Sequence, residues 1–109
     1  MVTINYDDPD LTPAGLDVGG GEIYHYQGIP FTGMLQYSFP NGNLQTEIAY
    51  VNGHPEGVWR EYYLNGQIME ESYIKYNLYY GPFKEWDESG NLITESDFGV
   101  EPKDIDFRL

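Results

Sequence analysis

Apolar and polar residues alternate along the chain from residue 33 to residue 98, and short glycine-containing pairs interrupt the alternation at regular intervals. A period of two is typical of β-strands that turn one side toward a core. Asn-Gly between two such runs is a strong signal for a β-hairpin with a two-residue type I′ turn. The three predicted hairpins are centred on Asn41-Gly42, Asn65-Gly66 and Ser89-Gly90.

The hairpins belong to one repeating unit. Gly33, Gly57 and Gly81 are spaced by 24 residues, and other positions keep the same spacing. Self-similarity at a fixed period is the signature of a repeat architecture. The predicted fold is therefore all-β: an antiparallel meander of stacked β-hairpins that forms a single twisted sheet, with no segment of helical period.

The length of 109 residues predicts one domain that spans 1–109. Residues 1–21 form an N-terminal cap of mainly irregular structure, in which the alternation of Val2, Ile4 and Tyr6 suggests a short edge strand. The hairpin repeats cover 22–98, with units 33–56, 57–80 and 81–98, and a strand is expected at 22–26. Residues 99–109 form a C-terminal tail.

A two-residue turn at 41–42 places residues whose numbers sum to 83 opposite each other, and the sums 131 and 179 follow for the next units. The first unit then divides into an apolar side, named face A, and a polar side, named face B. Face A carries Leu35, Tyr37, Phe39, Leu44, Thr46, Ile48 and Tyr50. Face B carries Met34, Gln36, Ser38, Gln45, Glu47 and Ala49.

Three repeated glutamates on face B resemble a site at first sight. The register places Glu47, Glu71 and Glu95 opposite Gln36, Arg60 and Lys84 respectively. Cross-strand pairs on a solvated face are an ordinary structural feature. We therefore interpret this column as a structural one.

Face A of the second unit departs from its apolar pattern, because Glu61 is predicted to lie directly opposite Glu70. Like charges in that arrangement destabilise a hairpin, so a cationic partner group is one explanation and carboxylates that point into water are the other. The loop 75–80 has gained tyrosines, which suit either an interface or a lid over the sheet. The candidate partner-binding residues are Trp59, Glu61, Tyr63, Glu70, Phe83, Glu85 and Asp87 on face A, with Tyr76, Tyr79 and Tyr80 at its rim.

A net charge of −13 argues against nucleic acid and anionic membrane as partners. It favours a basic protein partner, or it serves only to keep an aromatic-rich sheet in solution. There is no cysteine, and the N-terminus lacks the features of a signal peptide, so we expect a cytoplasmic protein. The sequence contains no convincing catalytic, metal or cofactor motif, and a non-enzyme is expected.

The stretch from Gly53 to Ile68 resembles the MORN repeat variant, because it combines spaced glycines with Trp59, two tyrosines and Asn65-Gly66. Looser matches run over 81–92 and 33–44, so the resemblance covers residues 24–99. It is greatest to the bacterial antitoxin group of these repeats. It implies stacked β-hairpins, and it is specific for architecture rather than function.

The resemblance also implies a frequent role as an antitoxin or immunity protein, which here would bind a basic toxin domain directly, with nucleic-acid-targeting domains among the candidates. Other MORN proteins act as scaffolds or contact phospholipids, and the negative charge disfavours the lipid role. The alternative function is a non-enzymatic scaffold, or a homodimer formed through face A, because an apolar sheet face needs a cover.

Overall fold

The computed structural model describes residues 2–17 and 19–104, and no helix occurs among them, so the predicted all-β class is confirmed. Met1 and Val18 of the predicted cap and residues 105–109 of the predicted tail lie outside the described residues. The strands are β1 (Thr3–Asn5), β2 (Leu11–Leu16), β3 (Glu22–Tyr26), β4 (Ile29–Pro30), β5 (Gly33–Ser38), β6 (Leu44–Val51), β7 (His54–Tyr62), β8 (Ile68–Lys75), β9 (Leu78–Tyr79), β10 (Pro82–Trp86) and β11 (Leu92–Asp97).

The repeats form one open sheet in the order β1-β5-β6-β7-β8-β10-β11, and β9 pairs with the end of β8. Consecutive strands from β5 to β8, and the pair β10–β11, are antiparallel hairpin or meander neighbours, as predicted. The predicted N-terminal edge strand is β1, which pairs in parallel with β5. This parallel pairing was not expected.

The hairpin turns contain three residues rather than the predicted two. In the first turn, the N–H of Gly42 donates to the carbonyl of Phe39 at 2.9 Å, and the N–H of Phe39 donates to the carbonyl of Asn43 at 2.8 Å. Gly42 has a φ of 90°, whereas Asn41 does not have a positive φ as a type I′ turn requires. The loop is a turn followed by a left-handed glycine, a common three-residue hairpin connection.

The predicted register is nevertheless correct for the strands, because a β-bulge follows each turn. Ser38 lies opposite Leu44 but Tyr37 lies opposite Thr46, so Gln45 is one extra residue on β6. The second and third hairpins contain the same shift, and the sums 131 and 179 hold beyond it. The residue added by the bulge compensates for the longer turn.

The bulge corrects one part of the predicted division into faces. Ser38, Tyr62 and Trp86 lie directly opposite three apolar residues that the two-residue turn had placed on face A. Directly opposed residues share a face, so these apolar side chains lie on face B. The three reassigned residues are Leu44, Ile68 and Leu92.

A second sheet, β2-β3-β4, is the main departure from the predicted single sheet. Tyr24 of this sheet lies 5.8 Å from the ring of Tyr50 on face A, measured between ring centroids. The buried core combines both layers and consists of Ile4, Tyr24, Phe31, Leu35, Ile48 and Tyr50. Much of the predicted irregular cap is therefore ordered as β1 and β2, and face A of the first unit is covered by Tyr24 and Phe31, which follow the cap in the sequence.

Face B carries the predicted cross-strand pairs, and they join into a row across the sheet. Arg60 donates to Glu47 at 3.0 Å and to Glu71 at 2.8 Å, and its pKa is raised chiefly by the hydrogen bond to Glu71. Lys84 lies opposite Glu71 on one side and Glu95 on the other. Negative and positive side chains thus alternate from β6 to β11, which supports the structural interpretation of the repeated glutamates.

The segment after β11 returns toward face B, where the ammonium of Lys75 lies 3.4 Å from the Glu101 carboxylate and 2.5 Å from that of Asp104. These contacts tie the start of the predicted tail to the sheet. The residues that the structure describes include no helix able to cross a membrane.

Candidate functional site

Three glutamates lie side by side on face A. Glu61 on β7 is directly opposite Glu70 on β8, as the sequence predicts, and Glu85 on β10 is opposite Glu70 from the other side. The row continues to Thr46 on β6 and to Thr94 on β11. We name the three carboxylates the Glu row.

The Glu row is an electrostatically unfavourable arrangement in the isolated chain. Partial burial makes the largest contribution to raising the pKa of Glu70 above its ordinary value. The negative charge of Glu61 and then that of Glu85 raise it further. Each of these causes opposes the charged form, since a carboxylate loses solvation on burial and is repelled by its neighbours. A cation placed over Glu70 would relieve the repulsion.

Two aromatic side chains, Trp59 and Tyr79, lie beside the Glu row on the side of the loop 75–80. The indole N–H of Trp59 donates to the carboxylate of Glu61 at 3.0 Å, which holds that carboxylate against the ring. Trp59, Glu61, Glu70, Ile74, Asn77 and Tyr79 line a cavity of about 290 Å³. A guanidinium group can pair with carboxylates and stack on aromatic faces at once, so the chemistry of this lining suits an arginine side chain.

An aromatic cluster continues face A beyond this cavity. The ring of Tyr79 is stacked on that of Phe98, with centroids 5.2 Å apart, and Phe83 meets both rings edge-on. Tyr79 is 52% exposed and Phe98 is 50% exposed. Exposed aromatic side chains beside acidic ones are a frequent composition of protein-binding surfaces.

The covering of face A decreases along the repeat. Tyr50, Ile74 and Phe98 occupy equivalent positions 24 residues apart, yet the first two are 4% and 5% exposed whereas Phe98 is half exposed. The second sheet contacts the first unit through the core described above and leaves the third unit open. The available part of face A is therefore the acidic and aromatic part.

Two of the candidate residues are engaged at the turns. The hydroxyl of Tyr63 donates to the carbonyl of Trp86 at 2.8 Å, which links two neighbouring hairpins. The carboxylate of Asp87 accepts from the N–H groups of Asn91 and Ser89, each at 2.9 Å, and the hydrogen bonds from Asn91 contribute most to lowering its pKa. Both side chains therefore have structural partners at the turns.

The three tyrosines predicted together at the rim separate in the structure. Tyr79 is on face A, whereas the ring of Tyr80 lies 6.0 Å from that of Tyr73 on face B. Tyr76 has a φ of 52° at the turn before β9, and its ring lies 5.7 Å from the ammonium of Lys75. Of these three tyrosines, only Tyr79 lines the cavity beside the Glu row.

Phe98 belongs to this surface although it is not among the predicted site residues, and the same is true of Ile74 and Asn77 in the cavity. The equivalents of Phe98 in the first and second units are buried, so the repeat gave no reason to expect exposure. No signal in the repeat distinguishes Phe98 from its equivalents Tyr50 and Ile74. Trp59, Glu61, Glu70, Phe83 and Glu85 lie together as predicted.

The repulsion in the Glu row predicts a pH-dependent stability. The folded-state pKa of Glu70 is raised, so between its ordinary and its raised pKa the folded protein binds more protons than the unfolded chain. Stability then falls as pH rises through that interval. We expect Glu70→Gln to increase the free energy of unfolding at pH 7 by about 0.5–1 kcal/mol, and to lose that advantage near about pH 4.

Urea denaturation of both proteins at the two pH values measures this effect. Glu71→Gln is the matched control, because Glu71 lies on face B between Arg60 and Lys84 and should lose stability at pH 7 on neutralisation. A neutral or destabilising result for Glu70→Gln at pH 7 would contradict the assignment of repulsion to the Glu row.

Comparison with known proteins agrees with the repeat seen in the sequence and the structure. A family model described as "MORN repeat variant" matches residues 31–52, 55–76 and 79–98. These matches coincide with the three hairpins and together cover more than half of the chain. The searches of curated proteins and of solved structures gave no match.

Proposed function

The chain belongs to the MORN repeat variant family, a repeat scaffold that suggests a protein-interaction module, and we propose that its partner is a toxin. In this proposal the protein is a non-enzymatic immunity protein or antitoxin. It binds a basic bacterial toxin domain directly and blocks the active site or substrate groove of that domain.

The observation that carries the proposal is the Glu row. Glu70 is flanked on both sides by another glutamate. Partial burial first, and then the two neighbouring charges, raise the pKa of Glu70 and oppose its charged form. Positions that break a local rule without a structural benefit tend to be functional. A partner that brings arginine or lysine to face A would convert the repulsion into pairing.

The aromatic residues beside the Glu row supply apolar contact area for the same partner. Trp59 and Phe83 are half-buried and Tyr79 is half-exposed, so their rings keep fixed positions while still presenting surface. Rigid aromatic anchors frequently provide most of the binding energy at an interface. The carboxylates then determine which partner is accepted, and the aromatic rings hold it.

The overall charge favours a toxin domain with a basic surface. A net charge of −13 accelerates encounter with a basic protein and repels nucleic acid. A toxin that cleaves nucleic acid needs a basic groove for its substrate, and an acidic face can occupy such a groove by imitating the charge of that substrate. This reasoning favours a nucleic-acid-targeting toxin.

A homodimer through face A has less support. The apolar part of face A packs against Tyr24 and Phe31 of the chain's own N-terminal region. The part that stays open carries Glu61, Glu70 and Glu85, and two copies would bring like charges together. A scaffold that joins other proteins would still use the same surface, and the experiment below separates the two functions.

The test is an affinity capture from the native host with tagged wild-type protein and with a Glu61→Lys/Glu70→Lys variant. We expect wild type to recover one basic protein and the variant to recover it at least about ten-fold less, since like charges at an interface oppose binding. The captured protein is then expressed alone and together with each form. Growth arrest that wild type relieves and the variant does not would support the proposed function.

The matched control is Asp7→Lys/Glu88→Lys, which makes the same change in net charge at two exposed residues outside the Glu row. This control should behave as wild type. Equal recovery by all three proteins would remove the Glu row from the interface. A captured protein that is harmless when expressed alone would favour the scaffold function, and self-association without a partner would favour the homodimer.

A further inference from the structure

The two edges of the main sheet differ. The edge at β5 is closed by β1, where Met34 donates its N–H to the carbonyl of Val2 at 2.8 Å. The edge at β11 is open: β11 pairs with β10, and no described residue pairs with its other side. All six residues of β11 are exposed. An exposed edge strand is a template for pairing with another chain.

The direction of the free backbone groups follows from the pairing with β10. Phe98 donates its N–H to the carbonyl of Gly81 at 3.0 Å, so Phe98 points toward β10. Pro82, which has no N–H, lies opposite Asp97. Because hydrogen-bonding direction alternates along an antiparallel strand, Glu95 and Asp97 point their N–H and C=O groups outward.

The charges on face B specify what could pair there. From β6 to β11 the directly opposed residues alternate in sign and end on a carboxylate, and the row consists of Glu47, Arg60, Glu71, Lys84 and Glu95. Glu95 has a cationic neighbour on the β10 side, and no residue among 2–17 and 19–104 places a cation on its outer side. A strand added to the outer side of β11 would therefore be stabilised by a cationic side chain opposite Glu95.

We propose that the outer edge of β11 accepts one β-strand of a basic partner protein, with a lysine or arginine of that strand opposite Glu95. Main-chain hydrogen bonds to Glu95 and Asp97 hold the strand, and the side chain opposite Glu95 selects it. Leu92 is 48% exposed and Ile93 is 62% exposed at the same edge, so the strand also carries apolar side chains.

A second copy of this chain is a poor occupant of the same edge. The residues Leu92–Asp97 include two carboxylates and no lysine or arginine. Pairing two copies of β11 would therefore bring acidic strands together, which is a known device against self-association. The two carboxylates of β11 thus disfavour pairing with β11 of a second copy and favour pairing with a basic strand.

This inference does not depend on the proposed toxin, and its site differs from the Glu row. The test uses two synthetic peptides of about nine residues, each with alternating threonine and valine and with either lysine or glutamate at the centre. Peptide titrations followed by NMR, together with amide hydrogen exchange, report both affinity and location. We expect the lysine peptide to bind about five-fold more tightly and to protect the amides of Glu95 and Asp97.

A charge exchange makes the test specific. Glu95→Lys should reverse the preference at this edge, so that the glutamate peptide protects it better, and Glu95→Gln should keep only the weaker preference for lysine that the net negative charge of the chain produces. Glu88→Lys makes the same charge change in an exposed turn and should keep the preference of wild type for lysine. Circular dichroism checks that each variant is folded.

Three results would overturn the proposal. The first is an unchanged preference in Glu95→Lys. The second is a lysine peptide that perturbs the Glu row while the amides of Glu95 and Asp97 continue to exchange, which would indicate adhesion to face A. The third is concentration-dependent protection of these two amides in the protein alone, which would make a second copy the occupant.

Discussion

Leu35→Ala is expected to lower the free energy of unfolding by about 3 kcal/mol, because it leaves a cavity where the two sheets meet. The side chain of Leu35 is completely buried, and it belongs to the core that includes Ile4, Tyr24 and Ile48. These residues come from β1, β3 and β6, so no single strand can move to fill the space. The loss therefore includes both the transfer of the side chain and the unfilled volume.

Chemical denaturation at pH 7 measures this loss, and Leu64→Ala is the matched control. Leu64 lies in the second turn and is 58% exposed, so its truncation should change stability by less than about 0.5 kcal/mol. Similar losses for the two variants would mean that the N-terminal sheet does not pack on face A. A large loss for Leu35→Ala alone supports the two-layer core.

The parts of the fold that could be predicted are those that local pattern determines. The pairing of Arg60 with Glu71 follows from alternation and from the repeat, and the structure confirms it and adds a contact with Glu47 on the other side. The repeat contains the same information three times, so a single error does not change the assignment. The pairing of Glu61 with Glu70 was predictable for the same reason.

The strand register was predicted correctly although the predicted turn type was wrong. Asn41-Gly42 suits a type I′ turn and also suits a three-residue loop with a left-handed glycine, which is the form observed. Pro40 favours the observed form, because its restricted φ fits the first central position of a type I turn. The bulge at Gln45 has no comparable sequence signal, and it moves Leu44 to face B.

The second sheet could not be predicted from local pattern. Its first strand, β2, contains Pro13 and Gly15, which are typical of loops and are tolerated here because β2 is an edge strand. The contact between Tyr24 and Tyr50 joins residues far apart in the sequence. Such contacts depend on the shape of the assembled sheet, and no period in the chain encodes them.

The candidate site was predicted only as far as the hairpins extend. Glu85 joins the Glu row because β10 pairs with β8, and that register depends on the irregular connection through β9. The same connection sends Tyr79 to face A and Tyr80 to face B. A loop that departs from the repeat contains no repeated copy from which its geometry could be inferred.

The three glycines that begin the units provide the second prediction, because they are equivalent in sequence but not in environment. Gly33 has a φ of 153°, and a Cβ there would lie 2.2 Å from the carbonyl oxygen of Val2. Gly57 has a φ of 108°, with a Cβ 3.2 Å from that of Ala49. Gly81 has a φ of 64°, and a Cβ there would meet nothing within 4 Å.

Alanine substitution should therefore destabilise these positions unequally. Gly81→Ala incurs only the backbone strain of a left-handed residue, about 1 kcal/mol. Gly57→Ala adds a tight contact with Ala49 and should cost about 2 kcal/mol. Gly33→Ala must displace the backbone of β1 and should cost about 3 kcal/mol or more. Urea denaturation of the three variants gives the order.

Amide exchange at Met34 distinguishes the reason for the largest loss. The N–H of Met34 is bonded to the carbonyl of Val2, so displacement of β1 in Gly33→Ala should accelerate its exchange, whereas Gly81→Ala should leave it unchanged relative to global stability. Equal losses at all three glycines, with Met34 still protected, would mean that strain common to the repeat determines the cost. An unequal series in which the Met34 amide exchanges faster would show that β1 closes this edge of the sheet, a protection that no described residue gives to the outer edge of β11.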